Sequence, residues 1–357
     1  MTSSSSPSSP ALGVGLIGAG RMGSFHAATL AHRLPGVRLA AVADPVPGAA
    51  RGLVDRLGAP AAAYTDIAAF LADPEVEAVV IATPARTHAE LVVAAAGAGK
   101  AVYCEKPMAV TLAEADRAIG AARAAGVVLQ VGFNRRYDAG FRAAHEKIVR
   151  GDIGTPHLLR SLTRDPKLAD PAPIPPWTVF LETLIHDFDT LRHLNPGATV
   201  VEVFALADAL VRPDFKERGL LDTALVTLRF DNGALATAEA SFQAVYGYDV
   251  RGEVFGSAGM LTMGEVRRTH LTSYGPEGVG AECVGYDQDL FRDAYVAELA
   301  DFADSVRTGR APSVTGEDAR AALAIALAAI ESVRTGGPVR PAPAAETAAE
   351  TAAGGHG

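Results

Sequence analysis

With 357 residues, 49% of them apolar, the chain is too long for one ordinary core and apolar enough to build two. Acidic residues outnumber basic ones by 41 to 32, so the surface repels phosphate backbones, and no cluster of Lys and Arg suggests a nucleic-acid groove. The two cysteines, Cys104 and Cys283, cannot make a disulfide framework and fit a reducing compartment. The start, MTSSSSPSSPALGVGLIG, lacks a secretory signal's basic region and apolar core, and no later run approaches the roughly 20 apolar residues of a membrane span. A cytoplasmic protein with neither a nucleic-acid nor a membrane partner is expected.

Residues 1–10, rich in Ser and Pro, and 341–357, rich in Ala, Gly and Glu, read as disordered tails. Over 11–133, the short apolar runs GVGLIG, LAAVAD, EAVVIAT, AVYCEKP and VVLQVG alternate with Ala-rich helical stretches. That rhythm predicts a doubly wound parallel sheet of the Rossmann kind, an α/β domain. Over 134–340 the runs VVEVFALA, TALVTLRF, ALATAEASF and DVRGEVFG follow one another closely, with Asp231-Asn232-Gly233 as a hairpin signal. Helices are expected over 288–308 and 316–335, the first with apolar residues at helical spacing. The second domain therefore reads as α+β, an open, mostly antiparallel sheet with helices on one face, its late helices free to return to the first domain.

Gly18-Ala19-Gly20-Arg21-Met22-Gly23 follows the strand LGVGLI and opens a helical stretch. Glycines there permit a tight turn and close approach of a pyrophosphate, whose charge meets the N–H groups of the helix start, which makes Gly18, Gly20, Arg21 and Met22 candidate cofactor residues. Asp44 ends the second run, 21 residues after Gly23, where a carboxylate accepts from ribose hydroxyls and repels a 2′-phosphate. NAD is favoured over NADP, with a plain turn cap as the alternative reading of Asp44. Thr83 and Pro84 end another run on the ligand-binding edge. His88 reads as a helix-start histidine, with a cofactor contact as its second reading.

Glu105 and Lys106 stand at the end of a further buried run, before Pro107, which is expected to hold a fixed and even cis turn. Charges at a buried strand end are costly unless used. The Lys is suited to hydrogen-bonding a substrate oxygen and the Glu to neutralising it or anchoring the turn. No metal site is expected. Trp177, in PAPIPPWTVF, reads equally as part of a stiff lid and as an oligomer contact.

Through GLIGAGRMG, TPARTH, YCEKPMA and VGFNRRYD, in that order, the chain resembles the Gfo/Idh/MocA oxidoreductases over about residues 12–340. GFNRRYD, GDIGTPHLLRSLTRDP and YGYDVRGEVFGSAG look most like that family's inositol 2-dehydrogenases. The resemblance implies an NAD-dependent dehydrogenase acting on a small polyol, assembled as a homo-oligomer, a dimer or tetramer. It also places LETLIHDFD on the family's catalytic Asp-x-x-x-His segment, with His186 as the base, Glu182 as its orienting acid and Lys106 on the reacting oxygen. Residues four apart on a helix share a face, and an imidazole titrates near neutrality. Lys106, Arg135, Asp165, Glu182, His186 and Tyr248 are the implied substrate contacts, with Tyr137 and Asp249 as further candidates. Two departures stand out against the family: Glu182 replaces its usual Asp, and Thr163-Arg164-Asp165-Pro166 replaces His-Arg-Asn-Pro. An added carboxylate facing the ring makes an aminocyclitol the alternative substrate. A nucleotide-sensing regulator without turnover has no need of both Lys106 and His186, and an NADP-holding sugar oxidoreductase lacks its cation after Asp44.

Overall fold

The computed structural model describes residues 10–167 and 174–343, so the tails read as disordered lie, but for 10 and 341–343, outside the described residues. In chain order the elements are β1 (Leu12–Ile17), α1 (Arg21–His32), β2 (Val37–Ala43), α2 (Ala49–Leu57), β3 (Ala62–Tyr64), α3 (Ile67–Ala72), β4 (Ala78–Ile81), α4 (His88–Gly97), β5 (Ala101–Glu105), α5 (Leu112–Ala125) and β6 (Leu129–Gly132). There follow α6 (Ala139–Val149), β7 (Pro156–Arg164), α7 (Leu184–His193), β8 (Val200–Asp208), β9 (Thr223–Phe230), β10 (Leu235–Ser241), β11 (Asp249–Gly256), β12 (Gly259–Met263), β13 (Arg267–Gly275), β14 (Gly278–Cys283), α8 (Asp287–Leu290), α9 (Arg292–Thr308) and α10 (Gly316–Thr335). The chain divides into two compact units.

One unit gathers Met1–Ala109, Arg117–Gly132 and Tyr295–Gly316. Its sheet runs β3-β2-β1-β4-β5-β6, and every pairing is parallel. Helices cover both faces of such a sheet, and β1, β4 and β5 are buried along their whole length, which is why their sequences are continuous apolar runs rather than alternations. The strand order reverses between β1 and β4, so the carboxyl ends of these strands frame a ligand crevice. Leu299, Phe302 and Ala303 of α9 join the same core as Leu16, Val42 and Val80. The edge strand β3 was not legible in the sequence, because three half-buried residues carry no periodicity.

The other unit gathers Val110–Asp116, Phe133–Ala294 and Glu317–Gly357. Its main sheet runs β12-β11-β7-β10-β9-β8, antiparallel except where β10 lies parallel to β7. Along β9 and β10 buried and exposed residues alternate, the pattern of a sheet with one covered face, and α7 packs on β7 and β10. Gly233 takes a φ of 88° in the turn joining β9 to β10, a conformation that suits glycine. A separate two-stranded sheet pairs β13 with β14, a hairpin the sequence reading missed. The helix expected from residue 288 is interrupted at Phe291, leaving α8 as a single turn before α9.

Candidate active site

In the first unit the cofactor edge is built from β1, β2, β4 and β5. Gly18 sits at a φ of 102°, and a side chain there would strike the carbonyl of Ala82. A side chain at Gly23 would run into the Gly18 carbonyl oxygen, whereas one at Gly20 would meet open space. The N-cap of α1 is Gly20, which has no side-chain cap, and the first turn carries no acid. A helix start without a carboxylate of its own, facing open space, fits a pyrophosphate. Asp44 Oδ2 accepts from Ala19 N–H at 2.8 Å and Oδ1 from Val46 N–H at 2.9 Å, so it secures both the glycine turn and its own. Each carboxylate oxygen keeps a second lone pair for a ribose hydroxyl. The turn-cap and ribose readings of Asp44 are compatible, and the residues present fit NAD.

Thr83 is half-buried, with its hydroxyl 2.8 Å from that of Thr87, and Pro84 is exposed. His88 is buried: Nδ1 lies 2.8 Å from the Pro107 carbonyl oxygen and Nε2 2.7 Å from that of Thr83. Its ring ties the ends of β4 and β5 together, a bracing role. Lys106 is half-buried, and the Lys106–Pro107 peptide is cis. Glu105 is buried and fastened at both oxygens, Oε1 to His26 Nε2 at 2.6 Å and Oε2 to the Lys106 N–H at 3.2 Å. Burial works to raise its pKa, but the His26 hydrogen bond and the charges of His26, Lys106 and His88 outweigh that and hold the carboxyl below its ordinary value. Glu105 thus anchors the strand end from inside.

In the second unit a π-helical turn, Val179–Thr183, carries Glu182 and leads directly into α7, which carries His186. Such turns widen a helix locally and are frequent at functional sites. His186 is half-buried, its ring edge-on to Phe133 with centroids 5.8 Å apart and planes at 90°. The next residue, Asp187, is fully buried and accepts from Arg135 Nη1 at 2.8 Å, Ser161 Oγ at 2.5 Å and Thr163 Oγ1 at 2.7 Å. Arg135 Nη2 donates to Thr163 Oγ1 at 2.5 Å, which closes the ring of contacts. Arg135, expected to touch the polyol, is thus 2% exposed and spends its guanidinium on Asp187 and Thr163. Its neighbour Arg136 donates to Asp189 through Nε at 2.8 Å and Nη2 at 2.6 Å, so two Arg–Asp pairs clamp the helix bearing His186.

Asp165 is half-buried, with Thr183 Oγ1 at 3.5 Å from Oδ2. Burial pushes the Tyr248 phenol well above its ordinary value, and the charge of Asp165 adds to this while Arg135 opposes it. Asp165, Tyr248 and Arg135 therefore share one electrostatic neighbourhood. Asp249, at the start of β11, is buried and occupied by Arg251 and Tyr246. Sequence reasoning missed Asp187 and Asp189, although two acids inside the apolar frame IHDFDTL were a signal.

Residues 12–133 match the oxidoreductase family with an NAD-binding Rossmann fold, GFO_IDH_MocA, and residues 141–262 match the GFO/IDH/MocA C-terminal domain. The chain is 40% identical over 325 residues to the myo-inositol 2-dehydrogenase of Thermotoga maritima, covering 90% of this chain and 96% of that protein. The chain belongs to the GFO/IDH/MocA family. Among its relatives, the scyllo-inositol 2-dehydrogenase (NAD(+)) of Bacillus subtilis is 36% identical over 91% of this chain and 95% of its own length. The crystal structure of a family member, the myo-inositol dehydrogenase of Lactobacillus casei in complex with NAD(H) and myo-inositol, superposes with a TM-score of 0.86 at 29% identity, over 95% of this chain and 99% of that one. The cofactor of the chain is NAD, in keeping with its NAD-binding Rossmann domain. Among the described residues no helix is long and apolar enough to cross a membrane, and both cysteines are free.

Proposed function

We propose that the protein oxidises a secondary hydroxyl of an inositol-type cyclitol to a ketone, with NAD as the acceptor. The observation that carries this reading is His186 on a helix clamped by two buried Arg–Asp pairs, in a chain whose relatives include inositol dehydrogenases. His186 takes the hydroxyl proton on an imidazole nitrogen, and Glu182, one turn earlier, orients the ring and balances its charge once protonated. Lys106 hydrogen-bonds the reacting oxygen and stabilises the charge that develops there. Arg135 acts through Asp187, holding α7 in place, while Asp165 and Tyr248 shape the polyol side. NAD, when bound, supplies the hydride acceptor, held by Gly18, Gly20, Arg21, Met22 and Asp44.

Asp165 favours a second substrate: a carboxylate that already bears on the Tyr248 hydroxyl sets a negative field suited to an ammonium substituent. NAD reduction by the purified chain with myo-inositol, scyllo-inositol, scyllo-inosamine and an aldose separates the readings. Turnover of cyclitols above the aldose supports the proposal, and preference for scyllo-inosamine selects the aminocyclitol. Turnover of the aldose alone, or of nothing, overturns it.

We further propose that the open face of the main sheet pairs with a second copy of the chain. Met260, Phe255, Leu158 and Leu235 form an exposed apolar row in cross-strand register, with Leu225 and Leu206 beyond it. The pairs Arg160–Glu239, with Glu239 half-buried, and Arg229–Glu202 stand on the same face and give the apolar row a charged border. The double substitution Leu158→Glu with Phe255→Glu should halve the mass seen by sedimentation equilibrium. A monomeric wild type, or an unchanged mass in the variant, contradicts this. The free thiols agree with a cytoplasmic setting.

A further inference from the structure

Behind the strand end that bears Lys106 lies a cluster that the proposed chemistry leaves unused. Glu105 on β5, His26 on α1 and Glu298 on α9 bring ligand-type atoms within 4.8 Å of one another, all in the buried interior of one unit. Tyr103 donates its hydroxyl to Glu298 Oε1 at 2.6 Å, and Gln130 Nε2 on β6 donates to the Glu298 backbone carbonyl at 2.8 Å. Glu298 Oε2 and His26 Nδ1 have no hydrogen-bond partner. Two buried carboxylates this close cannot both ionise without a large electrostatic cost, so one of them keeps its proton. His26 and the Lys106 N–H occupy both oxygens of Glu105, which leaves Glu298 to carry it.

We propose that Glu298 is a positioning residue: holding a proton, it lets Glu105 stay ionised beside it, and Glu105 in turn fixes the backbone of Lys106 through its second oxygen. The link to catalysis rests on the role assigned to Lys106 under Proposed function, whereas the protonation of Glu298 does not. Burial and the charge of Glu105 push the Glu298 carboxyl well above 4.5, only partly opposed by the Tyr103 hydrogen bond. The groups facing it are His26 from α1, Tyr103 and Glu105 from β5, Gln130 from β6 and Tyr295 from its own helix, with Lys106 and His88 bearing on Glu105. A cation in place of the proton would need its ligands spread around it, but His26 and Glu105 stand at a direct hydrogen-bond distance of 2.6 Å.

The sign follows from proton counting. Because its pKa is raised in the folded protein, Glu298 binds a proton there that the unfolded chain has released above about 4.5, so its contribution to stability falls as pH rises through that window until the folded group itself titrates. One proton changes the folding constant by about tenfold per pH unit. Glu298→Gln mimics the protonated form and removes this slope. In the NAD-loaded full-length protein, the ratio of wild-type to variant folding constants, from urea unfolding at two pH values one unit apart, both above 4.5 and below the pH at which the protonated carboxyl band disappears, should fall about tenfold as the pH is raised. An infrared band of a protonated carboxyl present in the wild type should vanish in Glu298→Gln. Glu298→Ala should lose roughly 10- to 100-fold in kcat with KM for NAD nearly constant, and Gln should restore most of it. Parallel pH profiles in urea, an unchanged carboxyl band, or one equivalent of tightly bound divalent metal in the purified protein would each overturn the protonated Glu298. Loss of kcat in neither variant, with the band and slope as expected, would overturn the positioning role alone. Should Glu298→Ala not fold, kcat–pH profiles decide: a loss of wild-type kcat over the pH range in which the protonated carboxyl band disappears, absent from Glu298→Gln over that range, supports the positioning role, and superimposable profiles overturn it.

Discussion

Asp187→Ala is expected to lower the unfolding free energy by about 3–5 kcal/mol, the largest stability effect of any single change at the site. The Asp187 carboxylate is fully buried and accepts three hydrogen bonds, so its loss strands the Arg135 guanidinium in the interior and leaves the Ser161 and Thr163 hydroxyls to find other partners. Asp187→Asn keeps one acceptor oxygen and the volume, and should cost clearly less. Urea unfolding followed by circular dichroism measures both. Because Asp187 adjoins His186 on α7, the variant should also lose kcat even at temperatures where it stays folded. A cost below about 1 kcal/mol for the alanine variant would mean that the Arg135 pair is not what holds this helix.

His186→Ala is expected to reduce kcat by roughly 10²- to 10⁴-fold, the range for removing a general base, while the dissociation constant for NAD changes by less than about twofold. The separation arises because His186 belongs to α7 and the glycine turn with Asp44 belongs to the Rossmann sheet. Steady-state kinetics and fluorescence titration with NADH check the two halves independently. A loss of less than about tenfold in kcat would remove His186 from the chemistry. A large loss in NAD affinity with kcat preserved would assign it to cofactor binding instead.

The parallel sheet was legible because its strands are buried on both faces and so appear as unbroken apolar runs, each ending at a residue with work to do: Gly18, Asp44, Thr83, Lys106. The antiparallel sheet was legible over β8 to β11, where alternation and the Asn232-Gly233 turn agree. What escaped was β3, β12 and the β13–β14 hairpin, which are short or solvated, and also β7, a nine-residue strand in the middle of the main sheet whose buried and exposed residues do not alternate cleanly. At the site, the sequence named the residues with unusual chemistry but not their partners. Nothing in the spacing of Arg135 says that its guanidinium is spent on Asp187, 52 positions away, nor that Glu298 comes to lie against Tyr103, 195 positions earlier. Side chains so far apart are brought together only by the tertiary fold, and a lone charged residue reads alike in sequence whether it meets substrate or another side chain. The π turn before α7 escaped for a related reason, since one widened turn leaves the apolar spacing of LETLIHDFD almost unaltered.

The central claim concerns one event, transfer of hydrogen from a ring carbon of a cyclitol to the nicotinamide. Myo-inositol deuterated at every ring carbon, incubated with the purified chain and NAD, tests it directly by mass spectrometry of the reduced cofactor. NADH one mass unit heavier than with ordinary inositol, formed by the wild type and lost with His186→Ala, is the predicted result. Unlabelled NADH, or none with any cyclitol, would contradict the account.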